Sequence, residues 1–317
     1  MDYKTIEKVF NKRISEIDNN ENVIATAYRL YEHEIIQNNS DMQFDEAYYR
    51  TLVEATSPVI ESLYEKQDED GSFNGDIYDT SLFAALMCVV SRVYDVLDPI
   101  FARDCIHAGL DAAHFLMVSK VDMKLLEDDA KVAMFWAFTE LSKTDVEIKN
   151  AYDHSMMAGM PQKMSRQKKY KMLVNELGRQ IFTENVFNEY AKKAENSNFD
   201  LLMFSCRTIL FDDEDVFSAD ILALTKDCIL NAANNVMVNA DDIAMDKQGI
   251  MLITAILSIR HILDKDNEIA NGSEAQLIKV IEYNVINNTK KQLSDDEKQS
   301  LQNMLNSFTE KINELNR

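Results

Sequence analysis

The sequence predicts an all-α protein, and three observations carry that expectation. In 317 residues there are only 7 glycines and 3 prolines, far below the ordinary usage of about 7% and 5%. With so few breakers, strands and tight turns have little to end them. Apolar residues recur at spacings of three and four along nearly the whole chain. The segments between the periodic stretches are short and polar, such as Asp68 to Asp76, Asp212 to Asp215 and Asp264 to Glu268.

Helices are expected at about 3–17, 21–37, 44–66, 80–97, 99–116, 124–142, 146–157, 164–191, 198–210, 217–237, 246–264, 274–287 and 294–315. Leu82, Ala85, Leu86, Val89, Val90, Val93 and Leu97 form one apolar stripe, entered through Asp79, Thr80 and Ser81 as candidate caps. In the next helix, Asp98 can accept from the free amides of the first turn, and Pro99 supplies a preset φ where no donor is needed. Its stripe is Phe101, Cys105, Ala108, Ala112 and Phe115. A single up-and-down bundle of roughly a dozen helices closes poorly around one core, whereas inner helices ringed by outer ones each bury one or two faces. Residues 1–292 are read as one such body, since no linker divides them and a chain of this size buries a large core. Residues 293–317 read as a C-terminal amphipathic helix, capped at Ser294 to Glu297 and apolar along Leu301, Met304, Leu305, Phe308, Ile312 and Leu315. It is expected to dock on the body or on a partner.

Charge and cysteine usage exclude several function classes. With 54 acidic and 33 basic residues the formal charge is −21, which repels phosphate, so neither nucleic acid nor an anionic membrane is an expected partner. The one basic concentration, Lys163, Arg166, Lys168, Lys169 and Lys171, reads as a solvated helix face. The run Ile250 to Leu263 is too short to cross a bilayer and reads as a buried helix. Cys88, Cys105, Cys206 and Cys228 have no C-x-x-C pairing and no histidine array. Free thiols, a cytoplasmic location and no export signal at Met1 to Lys4 are the expectations. No cofactor is implied, and the oligomeric state is not legible.

The stretch Gln67 to Leu116 resembles glycoside hydrolase family 9. Thr80, Phe83, Ala84, Ala85, Met87, Ser91, Arg92, Val93, Tyr94, Asp98, Pro99, Phe101, Ala102, Cys105, Ala108, Ala112, Phe115 and Leu116 match its T-x-x-F-A-A-x-M-A-x-x-S-R-V-Y and D-P-x-F-A-x-x-C helices. Trp136, Ala137, Glu140 and Leu141 match its W-A-x-x-E-L helix, and Gly249 to Asp266 is similar to a late buried one. The likeness spans residues 55 to 145, and more faintly 215 to 290. It implies an α/α toroid of six hairpins and, in principle, inverting hydrolysis by two carboxyl groups. The family's G-G-W-Y-D-A-G-D base motif, its H-x-R segment and its N-E acid pair are all absent from this sequence. The expectation is therefore a glycosidase-like protein that is catalytically silent and binds a saccharide or a protein. Residues 67–86 are also similar to the Q-x-x-D-G-S-W turn and D-T-A-W helix of terpene cyclases, likewise toroids. The required aspartate clusters are not spaced correctly at Asp212 to Asp215 or at Asp241, Asp242 and Asp246. A helical scaffold without a small ligand is a further alternative.

If catalysis does occur, Asp76, Asp79 and Asp129 are the candidate acids, because they stand at the starts of helices whose ends line the cleft of such a toroid. Their competing readings are helix capping for Asp79 and compensation of the helix dipole for Asp129. Tyr78 and Trp136 are the candidate sugar-stacking aromatics, although aromatics at helical spacing more often pack in a core. His107, Asp111 and His114 share a helix face at i, i+4 and i+7. With Arg103 on the same stripe they read as a solvated face, and no metal site is expected.

Overall fold

A computed structural model describes residues 22–37, 46–119, 122–152, 162–183, 186, 197–210, 216–225 and 227–228. The expected helices at 3–17, 246–264, 274–287 and 294–315, and the aspartate clusters near 212 and 241, lie outside the described residues. Seven α-helices are named in chain order: α1 (Asn22–Gln37), α2 (Glu46–Tyr64), α3 (Ile77–Tyr94), α4 (Pro99–Val118), α5 (Asp128–Tyr152), α6 (Gln162–Thr183) and α7 (Ser197–Leu210). Residues 219–225 are also helical. Among the described residues there is no strand, only an isolated bridge between Phe73 and Asp76.

The cross-helix bonds fix the architecture. Near the start of α1, Tyr28 meets Asp200 near the start of α7, and two turns later Glu34 meets Arg207. On α5, Trp136 packs against Phe204, and four residues on Glu140 meets Thr208. On α3, Tyr78 reaches Asn198 at the start of α7, whereas Arg92 in its last turn reaches Glu34 and Glu140. So α1, α3, α5 and α7 run parallel and pack in sequence, with α7 returning to touch α1. The intervening α2, α4 and α6 pack on the outside of the helices they follow or precede. This is the inner-and-outer arrangement of an α/α toroid.

The inner position of α3 follows from its sequence. Thirteen of its residues, from Thr80 to Tyr94, are buried around the whole circumference, as expected for a helix apolar on every side. It is long and apolar enough by composition to cross a membrane, yet 78% of that span is buried within the protein. Gly109 of α4 faces α3, and a Cβ there would make van der Waals contact at 3.4 Å with Ala84 O, Met87 Cβ and Cys88 Sγ. The core continues through Tyr28, Tyr31, Phe83, Phe135, Trp136, Phe138 and Tyr170, all fully buried.

Two boundaries differ from the sequence reading. The cap of α3 is Asp76, whose Oδ1 accepts from the amide of Asp79 at 3.0 Å, so the helix begins earlier than the Asp79–Thr80–Ser81 reading placed it. Thr80 and Ser81 instead return their hydroxyls to the carbonyls of Asp76 and Ile77. The break expected after residue 142 is missing, and α5 runs unbroken from Asp128 to Tyr152. Ser142, Thr144 and Asp145 resemble a loop in sequence, but Thr144 Oγ1 donates to Glu140 O at 2.8 Å and satisfies itself inside the helix.

Candidate functional site

Because the inner helices run parallel, their N-termini form one end of the molecule. That end holds Asp76, Tyr78 and Asp79 of α3, Asp128 and Asp129 of α5, and Asn198 and Asp200 of α7. The turn leading into it is pinned to α4. Gln67 Nε2 donates to Gly71 O at 3.1 Å and to Ala108 O at 2.9 Å. Gly71 has φ +86°, and a Cβ there would lie 2.5 Å from Asp111 O, so both the conformation and the contact demand glycine.

Four of the carboxylates at this end are held by structural bonds. Asp76 caps α3, Asp79 accepts from Asn74 Nδ2 at 3.0 Å, and Asp128 accepts from Lys131 Nζ at 3.2 Å. Asp200 is buried and accepts from Tyr28 Oη. Asp129 stands exposed in the first turn of α5. Tyr78 is half-buried, and its hydroxyl donates to Asn198 Oδ1 at 3.2 Å.

Trp136 lies deeper than this end and is fully buried. Its Nε1 donates to Tyr31 Oη at 2.9 Å, and its ring packs 5.5 Å from that of Phe204. The structure thus groups Asp76, Tyr78, Asp79 and Asp129 at one end and leaves Trp136 without an exposed face. His107, Asp111 and His114 are exposed along α4, and among the described residues no three His, Cys, Asp or Glu side chains are placed to hold a metal.

The principal polar feature was not singled out from the sequence. On the axis between the four inner helices, Glu140 is wholly buried and accepts three donors: Arg92 at 2.6 Å, Tyr31 at 2.7 Å and Thr208 at 2.5 Å. Arg92 also reaches Glu34 at 3.2 Å and Thr144 at 3.0 Å. Arg207 donates to Glu34 at 2.8 Å and lies 4.8 Å from the centre of the Tyr31 ring. Burial alone would raise the Glu34 carboxyl, but the charges of Arg92, Arg207 and Lys143 outweigh it and hold the group far below the usual carboxylate range. Burial, reinforced by the Glu140 charge, pushes the Tyr31 phenol well above its ordinary value.

Chemically, the two carboxylates of this hub are fully paired. Each meets a guanidinium group, and Glu140 also accepts from the Tyr31 and Thr208 hydroxyls, so the hub ties four helices together. A signal for it did exist. Arg92, Glu140 and Arg207 are isolated charges in long apolar runs, and such residues are rarely buried unless paired.

No protein family matches the chain, and no curated protein does. Among solved structures, the glycoside hydrolase family 9 endoglucanase J30 overlaps 82% of this chain with 12% identity and a TM-score of 0.49. A Zn-binding triple mutant of the same endoglucanase gives the same figures. The match covers 53% of the endoglucanase, so the chain spans about half its length. At this identity and TM-score no residue's role is transferred by the likeness.

Proposed function

We propose that this chain is a glycosidase-like helical protein that binds rather than cleaves, meeting a saccharide or a protein partner at the N-terminal end of its inner helices. The observation that carries this reading is the occupation of its carboxylates. An inverting hydrolase needs one carboxyl kept protonated as acid and another free as base, facing each other across about 6.5–9.5 Å. Here Glu140 is buried against Arg92 and Glu34 is nearly buried against Arg92 and Arg207, which restricts access to both, and the arginine charges favour the charged form of Glu34. Asp76, Asp79 and Asp200 serve as cap, turn anchor and hydroxyl acceptor. No release of reducing sugar from cellulose, mixed-linkage glucan or cello-oligosaccharides is expected. Retardation in a glucan-containing native gel that is lost on Tyr78→Ala supports a saccharide as the partner, and retardation indifferent to Tyr78 counts against that site.

A second reading, an active hydrolase, is favoured by one fact: Asp76, Asp79 and Asp129 do share an end of the fold. Sugar release abolished by Asp79→Asn or Asp129→Asn would establish it and overturn the first.

A further inference from the structure

Two exposed surfaces of this chain complement each other, and among the described residues neither meets the other within one copy. The first is an apolar knuckle where α2 ends and α3 turns into α4. Tyr64, Val96 and Ile100 are 38%, 68% and 66% exposed. They belong to one patch because Tyr64 and Tyr94 both pack on Phe101, at 6.2 and 6.1 Å, and Asp98 ties the amides of Ile100 and Phe101 back to the turn that carries Val96. Exposed Glu61, Glu65, Asp95 and Asp98 border it, with Lys66 and Arg103 as the cations at its edge.

The second surface is on α6, which is anchored to α5 through Tyr170 on Phe138 and Phe182 on Phe135. Lys168, Lys169 and Met172 lie at i, i+1 and i+4, so they share the opposite, solvent-facing stripe. Lys168 and Lys169 are exposed, and Met172 is 60% exposed. They belong to the one basic run of the sequence, five cations between Lys163 and Lys171.

From this pairing we infer that the acidic knuckle of one copy receives the basic α6 stripe of a second copy. Apolar side chains meet at the centre of the contact, Met172 against Val96, Ile100 and Tyr64, and opposite charges meet around them. A foreign basic peptide would satisfy only the knuckle, whereas in a series of copies the knuckle of each takes the α6 stripe of the next, so both kinds of surface are used. The formal charge of −21 opposes association at long range, but at physiological salt charges beyond about 8 Å are largely screened and the local pairing decides. The contact joins two different surfaces, so it propagates head to tail rather than closing as a two-fold dimer. This goes beyond the binding role proposed above and is independent of whether the chain cleaves sugar.

Sedimentation velocity over a wide concentration range in about 0.15 M salt tests it. The wild type should sediment as a concentration-dependent series. Lys168→Glu with Lys169→Glu, or Glu65→Lys with Asp95→Lys, should each weaken association by at least about tenfold, since like charges then face each other. An equimolar mixture of the two variants should associate again, because each supplies the partner the other lacks. Both variants should keep the wild-type circular dichroism spectrum, as all four side chains changed are exposed. A wild type that stays monomeric, or association untouched by either pair of changes, or a mixture that fails to recover, overturns the inference.

Discussion

Arg92→Leu is the sharpest probe of this fold. Arg92, with its side chain 7% exposed, holds Glu140 at 2.6 Å and Glu34 at 3.2 Å. Its loss leaves Glu140 with Tyr31 and Thr208 as its remaining donors among those described, and Glu34 with Arg207. Breaking a buried ion pair by removing one partner costs about 3–5 kcal/mol, because the other charge remains desolvated. At about 2–4 °C per kcal/mol for a body of this size, Tm should fall by about 6–20 °C. Trp136 is the natural reporter in urea titrations: it is the sole tryptophan, and it bonds Tyr31, itself bonded to Glu140. Glu140→Gln added to Arg92→Leu removes the orphaned charge while keeping an acceptor for the two hydroxyls. The double variant should therefore be more stable than the sum of the single losses by at least about 1 kcal/mol. A single-variant loss below about 1 kcal/mol, or strict additivity, would refute the idea that the hub acts as one buried unit, since exposed pairs behave in that way.

Other consequences follow from the same geometry. Glu34 has a folded pKa below its ordinary 4.5, so its contribution is complete above pH 4.5 and is lost as pH falls toward the folded value. Between about pH 4.5 and 2.5, Glu34→Gln should reduce the slope of stability against pH by up to about 1.4 kcal/mol per unit, and equal slopes count against the pairing. Gly71→Ala forces a Cβ to within 2.5 Å of Asp111 O at φ +86°; unfolding titrations should show a loss of at least about 1–3 kcal/mol. Burial pushes Cys105 and Cys228 up to about 12 and Cys206 well above its ordinary value. Thiol reagents at neutral pH should therefore label the buried Cys105 and Cys206 only at the rate of unfolding, and burst labelling of either contradicts their burial.

How far the sequence carried this result depended on what each residue had to satisfy. The helices bounded by periodicity and by Asp98–Pro99 were legible because those signals are local. Asp98 does accept from the amides of Ile100 and Phe101. The start of α3 was misplaced because Asp76 and Asp79 are both good caps, and only the left-handed residues Asn74 and Gly75 before it, with φ 56° and 64°, select the earlier one. The continuity of α5 was hidden because Thr144 satisfies its hydroxyl within its own helix while also accepting from Arg92. Trp136 drew notice as an aromatic beside Phe135 and Phe138, yet its bond to Tyr31 joins residues 105 apart in sequence. The hub was missed for the same reason: its charges are spread over α1, α3, α5 and α7, and periodicity within one helix does not reveal a partner in another.

The acidic end and the buried arginines share a physical cause that does not require catalysis. Four parallel helices set their dipoles side by side, with positive ends together and negative ends together, an arrangement that charged side chains near the ends of α3, α5 and α7 offset. Asp79 lies in the first turn of α3, Asp128 and Asp129 in that of α5, and Asp200 in that of α7. Arg92 and Arg207 lie in the last turns of α3 and α7. The acids therefore sit where the dipoles are positive and the arginines where they are negative. A toroid of parallel inner helices selects carboxylates at the end where the helix N-termini gather. Acidic residues at that end are thus a property of the architecture, and hydrolysis needs the further step of freeing two of them. In this chain Asp76, Asp79 and Asp200 are committed to Asp79 N, Asn74 and Tyr28, so their place in the fold is accounted for by structural bonds.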